Sequence, residues 1–141
     1  MKKQDGFTLI ELVLVIALLG ALAVSALPNI FSISLTSAQN NARDAVSSAV
    51  QTALSLYAAS QISQGAAESY PADLDGEDDG IAADREHPLF DIILKGGVIK
   101  SWTKQDDNCY QYTGGAGTDE YQYDSTAPDP VGTFVYVSAG C

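Results

Sequence analysis

The chain is poor in the residues from which most catalytic sites are built. Its 141 residues include one histidine, His87, and two cysteines. A single histidine supplies neither a Ser-His-Asp triad nor a zinc site, because each needs further partners. The glycines of residues 114–117 are followed by no lysine and no helical pattern, so they do not form a phosphate-binding loop. We therefore expect no enzymatic activity, no catalytic residue and no cofactor-binding residue.

Basic residues are also scarce, with 7 Lys and Arg against 18 Asp and Glu and a net charge of −11. Half of the acids lie within residues 68–91, where Arg85 is the only basic residue. Such a surface repels the phosphate backbone of nucleic acid. We therefore expect no direct nucleic-acid binding by the bulk surface.

Long apolar runs are confined to residues 7–27, which contain one charged residue, Glu11. As a helix rising ~1.5 Å per residue, this segment is about 30 Å long, the hydrocarbon thickness of a membrane. Lys2 and Lys3 precede the segment and the next basic residue is Arg43, so the positive-inside rule places the N-terminus in the cytoplasm. The rest of the chain is then exported.

The two cysteines, Cys109 and Cys141, fit an oxidising compartment. One disulfide between them would close a loop of about thirty residues and stabilise the fold by ~2–4 kcal/mol. Two unpaired buried thiols are the alternative.

Glu11 raises a question, because a carboxylate inside an apolar helix is costly unless it has a partner. A conventional signal peptide, cleaved after the apolar stretch near Ala23, leaves Glu11 unexplained. Cleavage after Gly6 would instead create a new N-terminal amine at Phe7, one turn from Glu11. In a stack of axially staggered helices, Glu11 of one copy can then pair with the amine of its neighbour. This pairing would set the register of assembly.

Residues 6–11 read GFTLIE, and this stretch, after a short basic leader, resembles the processing site of type IV pilins and of type II secretion pseudopilins. The resemblance implies that a prepilin peptidase removes residues 1–6 and methylates Phe7, and that Glu11 serves filament assembly. It also implies an inner-membrane assembly platform and polymerisation with identical subunits and minor pilins. The precursor would cross the inner membrane once, with its head in the periplasm, and become an extracellular filament after assembly.

The pattern past the apolar segment predicts a longer helix and then a head. Pro28 should end or kink the helix, and the resemblance places a local unwinding there in the assembled fibre. Residues 28–64 continue the helix, with an amphipathic stripe from Ala42 to Tyr57. Residues 65–141 form the head. The expected fold is α+β and type IV pilin-like, with a long N-terminal α-helix on a small antiparallel β-sheet.

Several elements of the head are predicted by local pattern. A short helix is expected over residues 88–95, stopped by Gly96. Alternating runs predict three strands, at residues 109–112, 120–123 and 134–137, with a hairpin loop between the first two. We expect the tyrosines of these runs to form cross-strand pairs. The resemblance adds that a disulfide from Cys109 to Cys141 corresponds to the C-terminal disulfide loop of type IVa pilins.

Residues 75–86 nearly match the twelve-residue calcium loop D-x-[DN]-x-[DN]-G-x5-E, with Gly80 at the turn. The ligands would be Asp75, Glu77, Asp79, the Ile81 carbonyl and Glu86. The match is imperfect, because Glu77 stands where Asp or Asn is usual and Pro71 argues against an incoming helix. A calcium site and a solvated acidic loop both stay open.

Three functions are left to weigh. The resemblance implies a pilin that polymerises into a surface filament for adhesion, twitching motility or DNA uptake. A pseudopilin of a type II secretion system is the alternative: the cysteines and the six-residue leader favour the pilin, whereas the acidic head is typical of the major pseudopilin. A soluble secreted calcium-binding domain, released by cleavage near Ala23, is the third.

Overall fold

The computed structural model describes residues 8–115, 117–126 and 132–141, and of residues 25–34 it describes the backbone alone. These residues form helix α1 (Leu9–Ser63) and the strands β1 (Trp102–Asp106), β2 (Cys109–Gly114), β3 (Gly117–Asp124) and β4 (Thr133–Val137). The chain divides into two compact units, Met1–Thr36 and Ser37–Cys141. The α+β prediction of a long N-terminal helix with a small antiparallel sheet is confirmed.

Helix α1 is long because Leu and Ala are its commonest residues and only Gly20 and Pro28 oppose a helix. Pro28 lies inside the bounds of α1, so the helix does not end at the proline. The predicted kink at Pro28 stays a prediction.

The end of α1 is a Schellman motif. The Ala66 N–H donates to the Gln61 carbonyl at 3.1 Å, and the Gly65 N–H donates to the Ile62 carbonyl at 3.0 Å. Gly65 adopts a φ of 81°, a left-handed conformation that glycine tolerates because it has no Cβ. The motif satisfies carbonyls that the helix itself leaves free.

In the second unit, α1 buries one face on the sheet, with Val50, Leu54 and Ala58 fully buried. The predicted stripe is correct at Val50 and Leu54, but it is wrong at Ala42 and Ala49, which are exposed. At about 100° per residue, both alanines lie about 80–100° around the helix from Val50. Both alanines therefore lie beside the buried face of the helix and not on it.

The sheet is an antiparallel meander with strand order β1-β2-β3-β4. Strands β2, β3 and β4 contain the three predicted runs, but β2 and β3 continue further, to a pairing of Gly114 with Gly117. The predicted seven-residue loop is therefore much shorter. Strand β1 was not predicted, because its two buried positions are Trp102 and Lys104, and a lysine breaks the expected apolar pattern of an inward face.

Aromatic pairs across the strands build the core. Tyr110 stands opposite Tyr121, Tyr121 opposite Tyr136, and Tyr123 opposite Phe134, so the predicted cross-strand pairing of the tyrosines is confirmed. Phe90 lies among them, with its ring centroid 4.7 Å from that of Tyr110. Such pairs contribute ~0.5–1.5 kcal/mol each beyond their burial.

The predicted short helix over residues 88–95 is wrong. The segment makes a single turn, closed by a bond from the Leu94 N–H to the Phe90 carbonyl at 2.8 Å. Phe90 has a φ of 62°, which no α-helix allows. Burial of the Phe90 ring and the bridge between Leu89 and Val98 favour this turn over the local helical pattern.

Polar side chains of α1 complete the contact with the head. The Gln51 side chain donates to the Gly132 carbonyl and accepts from the Phe134 N–H, both at 3.0 Å. Arg43 pairs with Asp119 of β3. Gln51 thus satisfies backbone groups of the edge strand β4, which no neighbouring strand of the described sheet reaches.

We predict that Gln51→Ala lowers the free energy of unfolding by ~1–3 kcal/mol, because it leaves one backbone N–H and one carbonyl unsatisfied. Gln61→Ala, on the same helix, is the matched control and should change stability by less than about 0.5 kcal/mol. Chemical denaturation followed by circular dichroism measures both. Equal losses in the two variants would contradict the role assigned to Gln51.

Candidate functional site

The start of α1 is a capping box formed by Thr8 and Glu11. The Glu11 carboxylate accepts hydrogen bonds from the Thr8 N–H at 2.8 Å and from the Thr8 hydroxyl at 2.7 Å. The Glu11 N–H donates in return to the Thr8 hydroxyl at 3.4 Å. The sequence analysis missed Thr8, although Thr-x-x-Glu before an apolar run is a recognised helix-start pattern. Glu11 therefore has a local partner within its own chain.

The large apolar side chains on either side of Glu11 are exposed. Their exposed fraction ranges from 48% at Val13 and Val15 to 81% at Leu9. A continuous run of exposed large apolar side chains marks a surface that other apolar groups cover. Among the fully described residues, no helix is both long and apolar enough to cross a membrane.

Some of the predicted processing and assembly residues cannot be placed. Gly6 and Phe7 lie outside the described residues. Pro28 lies in α1, where only the backbone is described. The cleavage between Gly6 and Phe7, the methylation of Phe7 and the role of Pro28 in the fibre stay predictions.

The acidic loop does not bring its predicted calcium ligands together. Asp75 is buried against Lys104, and Glu77 pairs with His87. Asp79 and Glu86 are exposed. The Ile81 carbonyl accepts the Lys104 N–H at 2.9 Å.

No three carboxylates of the acidic loop converge among the described residues. Within the described ranges, the one cluster of three possible metal-ligating side chains comprises Cys109, Glu120 and Cys141. Its two cysteines are joined in a disulfide, so they offer no thiolate to a metal. The described side chains of residues 75–86 form no such cluster, and the calcium site stays a prediction.

His87 and Asp84 close the far end of the loop. The His87 Nδ1 atom lies 2.8 Å from the Glu77 carboxylate, which raises the pKa of His87. The carboxylates of Asp84 and Glu86 act in the same direction. The N–H groups of His87 and Glu86 donate to Asp84, and these bonds lower the pKa of the Asp84 carboxyl. The lone histidine therefore takes part in a local ion pair.

The structure contains a disulfide between Cys109 and Cys141, with Cα atoms 5.8 Å apart, so neither cysteine is free. Cys109 begins β2, and the Cys141 N–H donates to the Glu120 carboxylate of β3 at 3.1 Å. The segment after β4 is thus held to two strands of the sheet. The disulfide restricts the unfolded chain and so stabilises the head.

The model of one protein family, described as the prokaryotic N-terminal methylation motif, matches residues 1–27. Comparisons with curated proteins and with solved structures find no match. The matched motif is the hallmark of prepilin peptidase substrates among type IV pilins and pseudopilins, so the resemblance of residues 6–11 is confirmed. The match does not separate a pilus subunit from a pseudopilin. The α+β architecture is consistent with the pilin fold.

The ion pair of His87 predicts a pH dependence. Because the pKa of His87 is higher in the folded chain than in the unfolded chain, its stabilisation is fully present below about pH 6.5. The stabilisation is lost as the pH rises through the folded-state pKa. We expect the stability of the wild type relative to His87→Gln to fall over this interval, measured by chemical denaturation at a series of pH values.

Glu77→Gln is the control, because it keeps His87 but removes the carboxylate that raises its pKa. This variant keeps only the smaller effects of Asp84 and Glu86, so its stability relative to His87→Gln should change much less over the same interval. A wild type that keeps a constant advantage over His87→Gln at every pH would refute the pairing.

Proposed function

We propose that this chain is a type IV pilin, a structural subunit that polymerises through its N-terminal helix into a surface filament. The exposed apolar face of residues 9–24 carries this proposal, because it follows the methylation motif directly and no other part of the described chain covers it. Packing against the same face of neighbouring copies would bury these side chains. The subunit is a structural component and not an enzyme.

Glu11 is proposed as the contact that sets the register. The prepilin peptidase cleaves after Gly6 and methylates Phe7, which leaves a charged amine at the mouth of the helix. In the filament, the Glu11 carboxylate exchanges its bonds to Thr8 for the Phe7 amine of a neighbour. Each charge is costly alone in an apolar environment and tolerable when paired.

The proposed pathway begins in the inner membrane. The precursor is anchored there by its apolar helix, with the head in the periplasm, and an assembly platform moves it into the growing fibre. Identical subunits and minor pilins are its partners. The filament then serves adhesion, twitching motility or DNA uptake.

A pseudopilin of a type II secretion system is the second candidate, favoured by the acidic segment of residues 68–91. The disulfide between Cys109 and Cys141 favours the pilin, since the resemblance associates a C-terminal disulfide loop with type IVa pilins. Both candidates use the same processing and the same helix packing.

We predict that Glu11→Gln abolishes fibres while leaving the subunit processed and in the inner membrane. Glutamine at this position still accepts the hydrogen bonds of Thr8, so the capping box is kept and only the charge is lost. Removing the charge of one partner in a buried ion pair leaves the other charge unpaired, and breaking such a pair costs ~3–5 kcal/mol for each contact. Sheared surface filaments and fractionated membranes are compared by immunoblot.

Glu68→Gln, an exposed glutamate of the head, is the matched control and should give a normal fibre yield. Normal fibres from Glu11→Gln would show that the charge is not needed, and the assembly mechanism would then be wrong.

A further inference from the structure

The acidic loop of residues 75–86 has a positive charge at its centre that comes from the protein. Lys104 lies on β1, and only 2% of its surface is exposed. Its ammonium donates to the Asp75 carboxylate at 3.1 Å and to the Glu77 carbonyl at 2.7 Å. Asp75 and Glu77 occupy the first and third positions of the calcium-loop pattern. The lysine thus binds the carboxylate of the first ligand in the pattern and the backbone carbonyl of the third.

The Asp75 carboxylate already accepts three hydrogen bonds from the protein. Its side chain is fully buried beside Lys104. One carboxylate oxygen also accepts the Glu77 N–H at 3.3 Å, and the other accepts the Phe90 N–H at 3.2 Å. Asp75 therefore joins three parts of the head: its own loop, the turn at Phe90 and strand β1.

The backbone of Lys104 fixes the other side of the loop. Its carbonyl accepts the Gly80 N–H at 2.7 Å, and its N–H donates to the Ile81 carbonyl at 2.9 Å. The Ile81 carbonyl is the backbone ligand of the calcium-loop pattern. The loop therefore closes around Lys104 with both its side chain and its backbone.

We propose that the Lys104 ammonium is the resident cation of this loop and that it replaces the divalent ion that the sequence pattern suggests. A calcium ion would have to displace the Lys104 ammonium from Asp75. The buried ammonium would then lie next to the calcium ion, and the two positive charges would repel each other. Asp79 and Glu86, the two remaining carboxylates of the pattern, are exposed to solvent. The head then folds alike in calcium-poor and calcium-rich media, whichever filament it builds.

The first test is calcium itself. Thermal unfolding of the full chain in detergent is followed by circular dichroism with millimolar calcium chloride or with EDTA. The proposal expects the same midpoint in both. A midpoint that rises with calcium would overturn it, because ligands that bind only the folded state raise its stability.

The second test removes the ammonium. Lys104→Met should lower the midpoint by roughly 10 °C or more, because the Asp75 carboxylate is left buried and unpaired. Lys100→Met, an exposed lysine just before β1, is the matched control and should leave the midpoint unchanged. A Lys104→Met variant as stable as the wild type would overturn the proposal.

A double variant separates the charge from general damage to the core. Asp75→Asn combined with Lys104→Met removes the unpaired charge but keeps an oxygen for the Phe90 N–H. The double variant should therefore unfold at a higher temperature than Lys104→Met alone. If Lys104→Met does not fold, a double variant that does fold would equally show that the unpaired Asp75 charge causes the damage. A double variant no more stable than the single one would contradict the proposal.

Discussion

The main physical constraint on this molecule is an apolar helical surface. The rest of the described chain does not cover it. The large side chains of residues 9–24 are exposed, and water is a poor environment for them. One carboxylate, Glu11, stands at the start of that surface, where Thr8 holds it in a capping box. In the function proposed above, this helix is buried against other helices, and the carboxylate sets their register.

The head, in contrast, carries an excess of negative charge, because its acids outnumber its bases and repel one another. Three ion pairs offset part of this repulsion. They are Arg43 with Asp119, Lys104 with Asp75, and His87 with Glu77. Burial differs among them, so their strengths differ as well: the Lys104 pair lies in the core, whereas the His87 pair is half exposed. Most of the other acids in the described part of the head face solvent.

Periodic patterns predicted the parts of the fold that depend on local sequence. The long helix, three of the strands and the tyrosine pairs follow from spacing alone. The turn at Phe90 could not be predicted in this way, because its positive φ is stabilised by ring contacts with residues distant in sequence. Strand β1 and the closure of the acidic loop were not predicted, and the reason is the same for both. A lysine such as Lys104 is usually a surface residue, and its partner Asp75 lies far away in the sequence.

We propose that the apolar helix is kept in the mature protein and is used for assembly. Sequencing and mass spectrometry of the mature protein from cells determine its N-terminus. We expect a chain that begins at Phe7 with a methylated amine. A mature chain that begins near Val24 or later would have lost both Glu11 and the apolar face, and its helix could not serve assembly.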